Sequence, residues 1–510
     1  MTTGKKIGFA ERFFGSIEKA GNALPHPAVL FAIFALVILI FSAIGSWLGW
    51  SGINPATQKS IEVINLLSVE GLHRILIEMV DNYTGFAPLG IVMVALLGIG
   101  VAESSGLMKT AINLMVIKAP KSMITFIIVF TGVMSNVASD LGYILIIPMA
   151  GVIFHSLGRH PIAGIAAAFA GVSGGFSANL LIGTIDPLLA GLSTEAARII
   201  DPNYYVLPTA NYYFMAISTI LIAFLGTWVT KHWVEPRLGT YSGNIEIEAI
   251  TKPTVEERKG LNRVTYTLLF WLAILLWGLL PEHGFLRGAD NSVLHSPVLK
   301  GFIAVLFIVA SSVGIIFGVS VGKFKKSSDV IDGMVSSFKS LISFLVLVFF
   351  AAQFVAWFKW SNLGLILAIN GADWLQSANL GLIPLVIIFI LFSGFINLFM
   401  GSASAKWAIM GPVFIPMFML LGYSPELSQA IFRIGDSITN VISPMMSFFA
   451  LIIVYYQKYD KNAGIGTLMS TMLPYSLVFF VGWTLLMIIW ILFGLPLGPD
   501  SGLYYTPATN

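Results

Sequence analysis

Residues 392–444 read FSGFINLFMGSASAKWAIMGPVFIPMFMLLGYSPELSQAIFRIGDSITNVISP. Most of this stretch is apolar enough to sit in a lipid bilayer. It nevertheless carries Asn397, Ser402, Ser404, Lys406, Trp407, Arg433, Asp436, Thr439 and Asn440, with glycines and prolines between them. Charged groups at membrane depth are costly and face protein or a water-filled interior. Irregular backbone in hydrocarbon is tolerated only where protein buries it or where it lines a cavity. The stretch therefore reads as a helical hairpin over 384–421 that enters the membrane and turns back, followed by a helix over 425–452 broken near its middle.

An earlier stretch, 130–187, repeats the plan: FTGVMSNVASDLGYILIIPMAGVIFHSLGRHP, then IAGIAAAFAGVSGGFSANLLIGTIDP. Pro148, Gly158 and Pro161 match Pro412, Gly422 and Pro425, each at an offset of 264 residues. Each copy has an apolar arm, a small polar tip, a second apolar arm, a Gly-x-x-Pro corner and a Gly/Ser/Asn-interrupted apolar run. Paired interrupted segments in two halves of a membrane protein point to a binding site at the midplane.

Composition bounds the rest. Of 510 residues, 57% are hydrophobic and 10% charged, with mean hydropathy +0.87. A soluble domain carries about 25% charged residues. The expectation is an all-α polytopic membrane protein and no enzyme. A net charge of +3 gives no reason to expect nucleic acid, and the lack of cysteine excludes disulfides and thiolate metal sites. None of the seven histidines has metal-ligand spacing. The first apolar run, 28–49, is too long for a cleavable signal.

Full spans are expected at 28–49, 85–103, 213–230, 264–280, 298–322, 340–358 and 472–494, with broken spans at 162–190 and 425–452. Re-entrant hairpins at 122–157 and 384–421 complete nine spans and two hairpins, with interfacial runs at 104–121 and 361–381. The domain plan is a cytoplasmic N-terminus, 1–27; first spans and repeat one, 28–230; a cytoplasmic linker, 231–263; scaffold and dimer spans, 264–322; repeat two, 340–495; and an external tail, 496–510. Segments assigned to the cytoplasm hold 20 of the 28 Lys and Arg, and those assigned outside hold 6. This bias sets the orientation. The two repeats then insert in opposite senses, which suits alternating access.

Tip one offers Ser135, Asn136, Ser139 and Asp140, and tip two Asn397, Ser402 and Ser404. The broken spans add Gly174, Gly175, Ser177, Asn179 and Asp186 on one side, and Gly435, Asp436, Ser437, Thr439 and Asn440 on the other. Such oxygens suit a hard cation, so two sites for a coupling Na⁺ or H⁺ are expected, one per repeat. The bland alternative is that the small residues let helices pack closely. Asp140, Asp186 and Asp436 are the sharper candidates, although one of them pairing with Arg433 or Lys406 would neutralise a buried charge. Arg433 lies three residues before Asp436 and would share a helical face with it. Its fork suits a substrate carboxylate. Trp407 is either packing or a stacking platform for an aromatic ring. Glu103 and His155 fall near span ends. Gly171-Val172-Ser173-Gly174-Gly175 spells a nucleophile elbow, but no strand precedes it. Arg433 before Ile434-Gly435-Asp436 departs from the pattern of two-aspartate membrane proteases. A passive channel and an intramembrane hydrolase stand as the other classes.

At these residues the chain resembles the p-aminobenzoyl-glutamate transporter (AbgT) family of hairpin-containing ion transporters. The match spans nearly the whole chain. It includes NLLSVEGLH at 65–73, FAPLG at 86–90, GRHPIAG at 158–164, SANLLIGTIDPLLAGLSTEAA at 177–197 and EPRLG at 235–239. It continues with GSASAKW at 401–407, PMFMLLG at 416–422, FRIGDS at 432–437 and GLPLGP at 494–499. The resemblance implies a homodimeric carrier of the bacterial inner membrane, coupled to Na⁺ or H⁺ and needing no other cofactor. Its implied substrates are p-aminobenzoyl-glutamate and related folate-pathway aromatic anions. Export of sulfonamide antimetabolites is the alternative. Positions matching the family's functional motifs are Asp186, Asn397, Trp407, Pro425, Arg433 and Asp436.

Overall fold

The computed structural model describes residues 25, 27–53, 60–117, 120–138, 142–241, 243, 253–293 and 296–506. The chain is helical almost throughout. Its helices are α1 (Pro27–Trp47), α2 (Val69–Thr84), α3 (Ala87–Ser105), α4 (Leu107–Ile117), α5 (Ile124–Met134), α6 (Ile147–Ser156) and α7 (Pro161–Phe169). Then come α8 (Ile185–Ala197), α9 (Tyr212–Val229), α10 (Val255–Leu279), α11 (Phe302–Ser320), α12 (Ser327–Trp360) and α13 (Leu363–Ser377). The last five are α14 (Leu382–Asn397), α15 (Ala403–Leu420), α16 (Pro425–Asn440), α17 (Phe449–Gln457) and α18 (Ile465–Leu492). A small antiparallel hairpin, β1 (Ser51–Ile53) with β2 (Ser60–Glu62), follows α1.

Among the described residues, seven helical stretches are long and apolar enough to cross a membrane. The bent pair Leu345–Trp360 and Leu363–Ser377, turned by 70°, makes an eighth if read as one broken span. Four apolar helices are shorter: Ile124–Val137, Gly142–Ser156, Pro161–Gly174 and Leu382–Asn397. Ala403–Leu420, read from sequence as the return arm of a hairpin, passes the length test for a full span. Its most apolar window is 72% buried, against 11% for Val255–Leu279, so protein surrounds it.

The stretch expected to be a polar linker is helical at both ends, from Thr230 to Leu238 and again from Val255. Thr254 starts α10 with a capping box: its hydroxyl accepts from Glu257 N–H, and the Glu257 carboxylate accepts from Thr254 N–H. The span expected at 340–358 is part of a 34-residue helix. The N-terminal 1–24 and most of 242–252 lie outside the described residues.

The packing divides into two groups. α3 lies against α11 and α12, with α1 on α12 and α10 on α11. The other group holds the repeats: α5 against α7 and α9, α14 against α16, and α16 and α9 against α18. α8 packs on both α3 and α15 and so ties the groups together.

The repeat is visible in backbone detail. The Asn136 amide donates to the Val172 carbonyl at 3.1 Å, and the Asn397 amide donates to the Asp436 carbonyl at 2.7 Å. The accepting residues are 264 apart, but the asparagines are 261 apart. Tip two is therefore three residues longer than tip one. A Cβ on Gly171 would run into the Val129 carbonyl, and one on Gly435 into the Ile390 carbonyl. Those pairs keep the same two offsets. Glycine at these two positions lets α5 lie against the π-turn after α7, and α14 lie against α16.

Candidate functional site

Five charged side chains are buried among the described residues: Asp186, Lys406, Glu426, Arg433 and Asp436. Four of them form two ion pairs on α16. Arg433 Nη2 meets Asp186 Oδ1 at 2.6 Å, with 4% and 2% of the side chains exposed. Lys406 Nζ is bonded to Asp436 Oδ1 and Asn397 Oδ1 and is wholly enclosed. Arg433 and Asp436 thus share a helix, as their spacing suggests, but each takes its partner from elsewhere. The arginine's acid comes 247 residues earlier in the chain. Isolated charges in such surroundings cost several kcal/mol each, so pairing is a condition of burial.

The backbone around the pairs is interrupted. α7 passes into a π-turn at Ala170–Gly174, and residues 175–184 are not helical. Asp186 lies in the first turn of α8, where its second oxygen accepts from Gly183 N–H at 2.7 Å. A carboxylate there also complements the helix dipole. α16 ends at Asn440, and 441–448 form turns before α17. The two breaks touch: Ser437 Oγ accepts from Ser177 N–H at 3.1 Å, and the Asn440 amide reaches the Ser173 carbonyl at 3.4 Å.

Asn397 is a hub. Besides Lys406 and the Asp436 carbonyl, its amide contacts Thr439 Oγ1 and Asn440 Oδ1, each at 2.8 Å. Ser443 Oγ donates to the Asn397 carbonyl at 3.0 Å. Ser402 caps α15 by accepting from Ala405 N–H, and its hydroxyl lies 3.3 Å from that of Ser404. On the other side, Ser135 Oγ donates to the Gly132 carbonyl at 2.6 Å, and Asn136 spreads its amide over the Val133, Val172 and Gly175 carbonyls. Asn179 accepts from Leu181 N–H at 3.2 Å. Ser139 and Asp140 lie outside the described residues. The structure therefore gathers Asn397, Asp436, Thr439 and Asn440 into one cluster. Ser135 and Asn136 stand at the facing tip, and Ser402 and Ser404 serve a helix cap.

Trp407 is fully buried. Its ring stacks on Phe432 with centroids 4.5 Å apart, and its Nε1–H donates to Ser193 Oγ at 2.9 Å. In this conformation it packs and is not an open platform. Pro425 opens α16 behind the Ser424 cap, at the Gly-x-x-Pro corner. Three further partners carry no signal in the sequence. Ser193 holds the tryptophan. Tyr204 donates to buried Glu426 at 2.9 Å, and Asn211 donates to the Glu426 carbonyl at 2.9 Å. All three come from loops or helices far along the chain, and no local pattern marks them.

Some buried polar atoms lack a partner among the described residues: Asn136 Oδ1 and Ser173 Oγ in repeat one, and Arg433 Nε and Asp436 Oδ2 in repeat two. Such groups are rare in native interiors. Beside Lys406, a cavity of about 470 Å³ is lined by Phe34, Phe392, Phe399, Met400 and Phe414.

Buried charge at interrupted membrane helices defines the class: a membrane transporter. The chain belongs to the AbgT putative transporter family, which it matches over residues 12–505. It is 38% identical to the p-aminobenzoyl-glutamate transport protein of Escherichia coli (strain K12), over 97% of both chains. Two solved structures resemble it closely. The YdaH transporter of Alcanivorax borkumensis is 45% identical with a TM-score of 0.89, covering 93% of this chain and all of that one. MtrF of Neisseria gonorrhoeae, described with a class of antimetabolite efflux pumps, is 48% identical with a TM-score of 0.91, covering 96% and 100%.

Proposed function

We propose that the chain is a secondary active transporter of p-aminobenzoyl-glutamate or a related folate-pathway aromatic anion, driven by a Na⁺ or H⁺ gradient. The observation that carries this reading is the Arg433–Asp186 bridge at the helix breaks. Arg433 is held by one carboxylate through Nη2, while its Nε–H has no partner among the described residues. A substrate carboxylate fits that unfilled side of the fork. Glutamate-bearing solutes supply such a group, and the E. coli relative is a p-aminobenzoyl-glutamate transport protein. Asp436, on the same helix as Arg433, is bonded to Lys406 beside Asn397, and Trp407, now packed on Phe432, would meet an aromatic ring after a rearrangement. Repeat one supplies the coupling-ion site, around the unpartnered Asn136 Oδ1 and Ser173 Oγ.

The architecture that serves this reading has nine spans and two re-entrant hairpins inserted in opposite senses. It works as a homodimer in a bacterial inner membrane, with the N-terminus cytoplasmic and the C-terminus external. The short apolar helices Ile124–Val137 and Leu382–Asn397 support the hairpins. Likeness to MtrF favours a second direction of use, export of sulfonamide antimetabolites. Counterflow in proteoliposomes, with labelled p-aminobenzoyl-glutamate and sulfamethazine competing, separates the two. If neither solute moves under either ion gradient, the substrate assignment fails.

A further inference from the structure

At one structurally matched pair of positions the two repeats differ in chemistry where they agree in contact. In repeat two, Lys406 reaches Asp436. The positions 264 residues earlier are Gly142 and Val172. These also lie against each other: a Cβ on Gly142 would fall 2.8 Å from a Val172 methyl and would collide with Ser135 Oγ. The same contact is therefore ammonium with carboxylate in one copy, and glycine with valine in the other.

From this we infer that the Lys406 ammonium is the resident cation of repeat two, so that only repeat one offers a site for an exchangeable alkali cation. The oxygens expected to ligate such an ion in repeat two include Asn397 Oδ1 and Asp436 Oδ1, and both accept from Lys406 Nζ. A Na⁺ placed between them would meet a fixed positive charge at contact distance. Asp436 Oδ2 has no donor among the described residues, but Lys406 Nζ sits on the other oxygen of the same carboxylate, so a second free ion there would face its charge. Repeat one has no lysine at this point, and its buried Asn136 Oδ1 and Ser173 Oγ are left without donors among the described residues. Hard cations take such neutral oxygens together with backbone carbonyls, and the backbone beside them forms a π-turn at Ala170–Gly174. Lysine is suited to the resident role because it is a compact point charge on a flexible stem.

The consequence is a stoichiometry of at most one alkali cation per protomer. The inference deepens the transport reading and rests on it only for the repeat-one site. The test is equilibrium binding of ²²Na⁺ to the purified full-length protein, on wild type, Lys406→Met, and the double variant Lys406→Met with Asp436→Leu. Wild type binds no more than one Na⁺ per protomer. Lys406→Met leaves Asp436 and Asn397 without their cation and gains one Na⁺. The double variant, with neither charge, returns to the wild-type count. Two Na⁺ bound by wild type would overturn the inference, and so would a Lys406→Met protein that folds and gains none. Should Lys406→Met fail to fold, the wild-type count and the double variant still decide. A wild type that binds no Na⁺, beside a Lys406→Met that binds one, would remove the repeat-one ion site of the transport reading and leave this inference standing.

Discussion

Breaking the Arg433–Asp186 bridge is the perturbation whose size the structure fixes most clearly. Both side chains are almost fully buried and 2.6 Å apart. Asp186→Leu leaves a guanidinium without its acid, and Arg433→Met leaves a carboxylate without its base. Each single change is expected to cost about 3–5 kcal/mol. The double change removes both charges and leaves the Gly183 N–H without its acceptor, a loss of about 1–3 kcal/mol. The double variant should therefore be more stable than either single one, with a coupling of about 6 kcal/mol, two single costs of about 4 less about 2 for the double change. The assay is reversible unfolding in mixed micelles, run as a complete cycle. The exposed Arg74–Glu78 pair, with side chains 47% and 39% exposed, is the control. Its removal should cost about 0.5 kcal/mol or less. Single costs at Arg433 and Asp186 that simply add would refute the reasoning. On the proposed role of Arg433 in holding a substrate carboxylate, all three variants should lose transport.

Other outcomes follow from the same geometry. Trp407→Ala should destabilise by about 3–5 kcal/mol, and Trp407→Phe by less, since it keeps the stack on Phe432 but strands Ser193; thermal melts rank them. Gly171→Ala and Gly435→Ala should each cost about 1–3 kcal/mol by forcing a hairpin arm off its broken helix, and similar losses at both positions would show that the repeats share one packing rule. The Asp329 carboxyl, in the exposed first turn of α12, is held below its ordinary value by Lys325 N–H and Lys326 N–H. A depressed folded-state pKa gives stability that is present above the unfolded value near 3.8 and lost as pH falls through the folded one. Hydrogen-exchange protection at the start of α12, taken relative to the intrinsic rate, should therefore fall below pH 4 and stay level above pH 5. Ser173→Ala should leave expression intact and weaken the dependence of transport on the coupling ion, whereas an intramembrane hydrolase would be abolished.

Much of the fold was legible because lipid imposes long apolar runs and makes every interruption visible. Pro148 and Pro412 exposed the repeat, since the second arms and broken helices keep one offset. The first arms keep another, because tip two is three residues longer, and a single-offset search passes over them. The amphipathic helix Val69–Thr84 and the β1–β2 hairpin were missed, as neither spans lipid nor carries strong turn signals. At the site, the sequence singles out Asp186, Lys406, Arg433 and Asp436, which the structure buries, but leaves their pairing open. The three-residue spacing of Arg433 and Asp436 predicts a shared face, and they have one. Partner choice was decided by α8 and α15, whose approach is set by tertiary packing. Lys406 stood in the quoted stretch, but nothing in its neighbours says that its amine turns inward to Asn397 and Asp436.

The account rests on two hairpins mounted in opposite senses, and the absence of cysteine makes this directly measurable. Ser156→Cys places a thiol at the corner after α6, and Leu421→Cys places one at the matching corner after α15. A membrane-impermeant maleimide added to right-side-out vesicles should label Leu421→Cys at once and Ser156→Cys only after permeabilisation. Labelling of both corners from the same side would contradict the inverted repeat and the transport mechanism built on it.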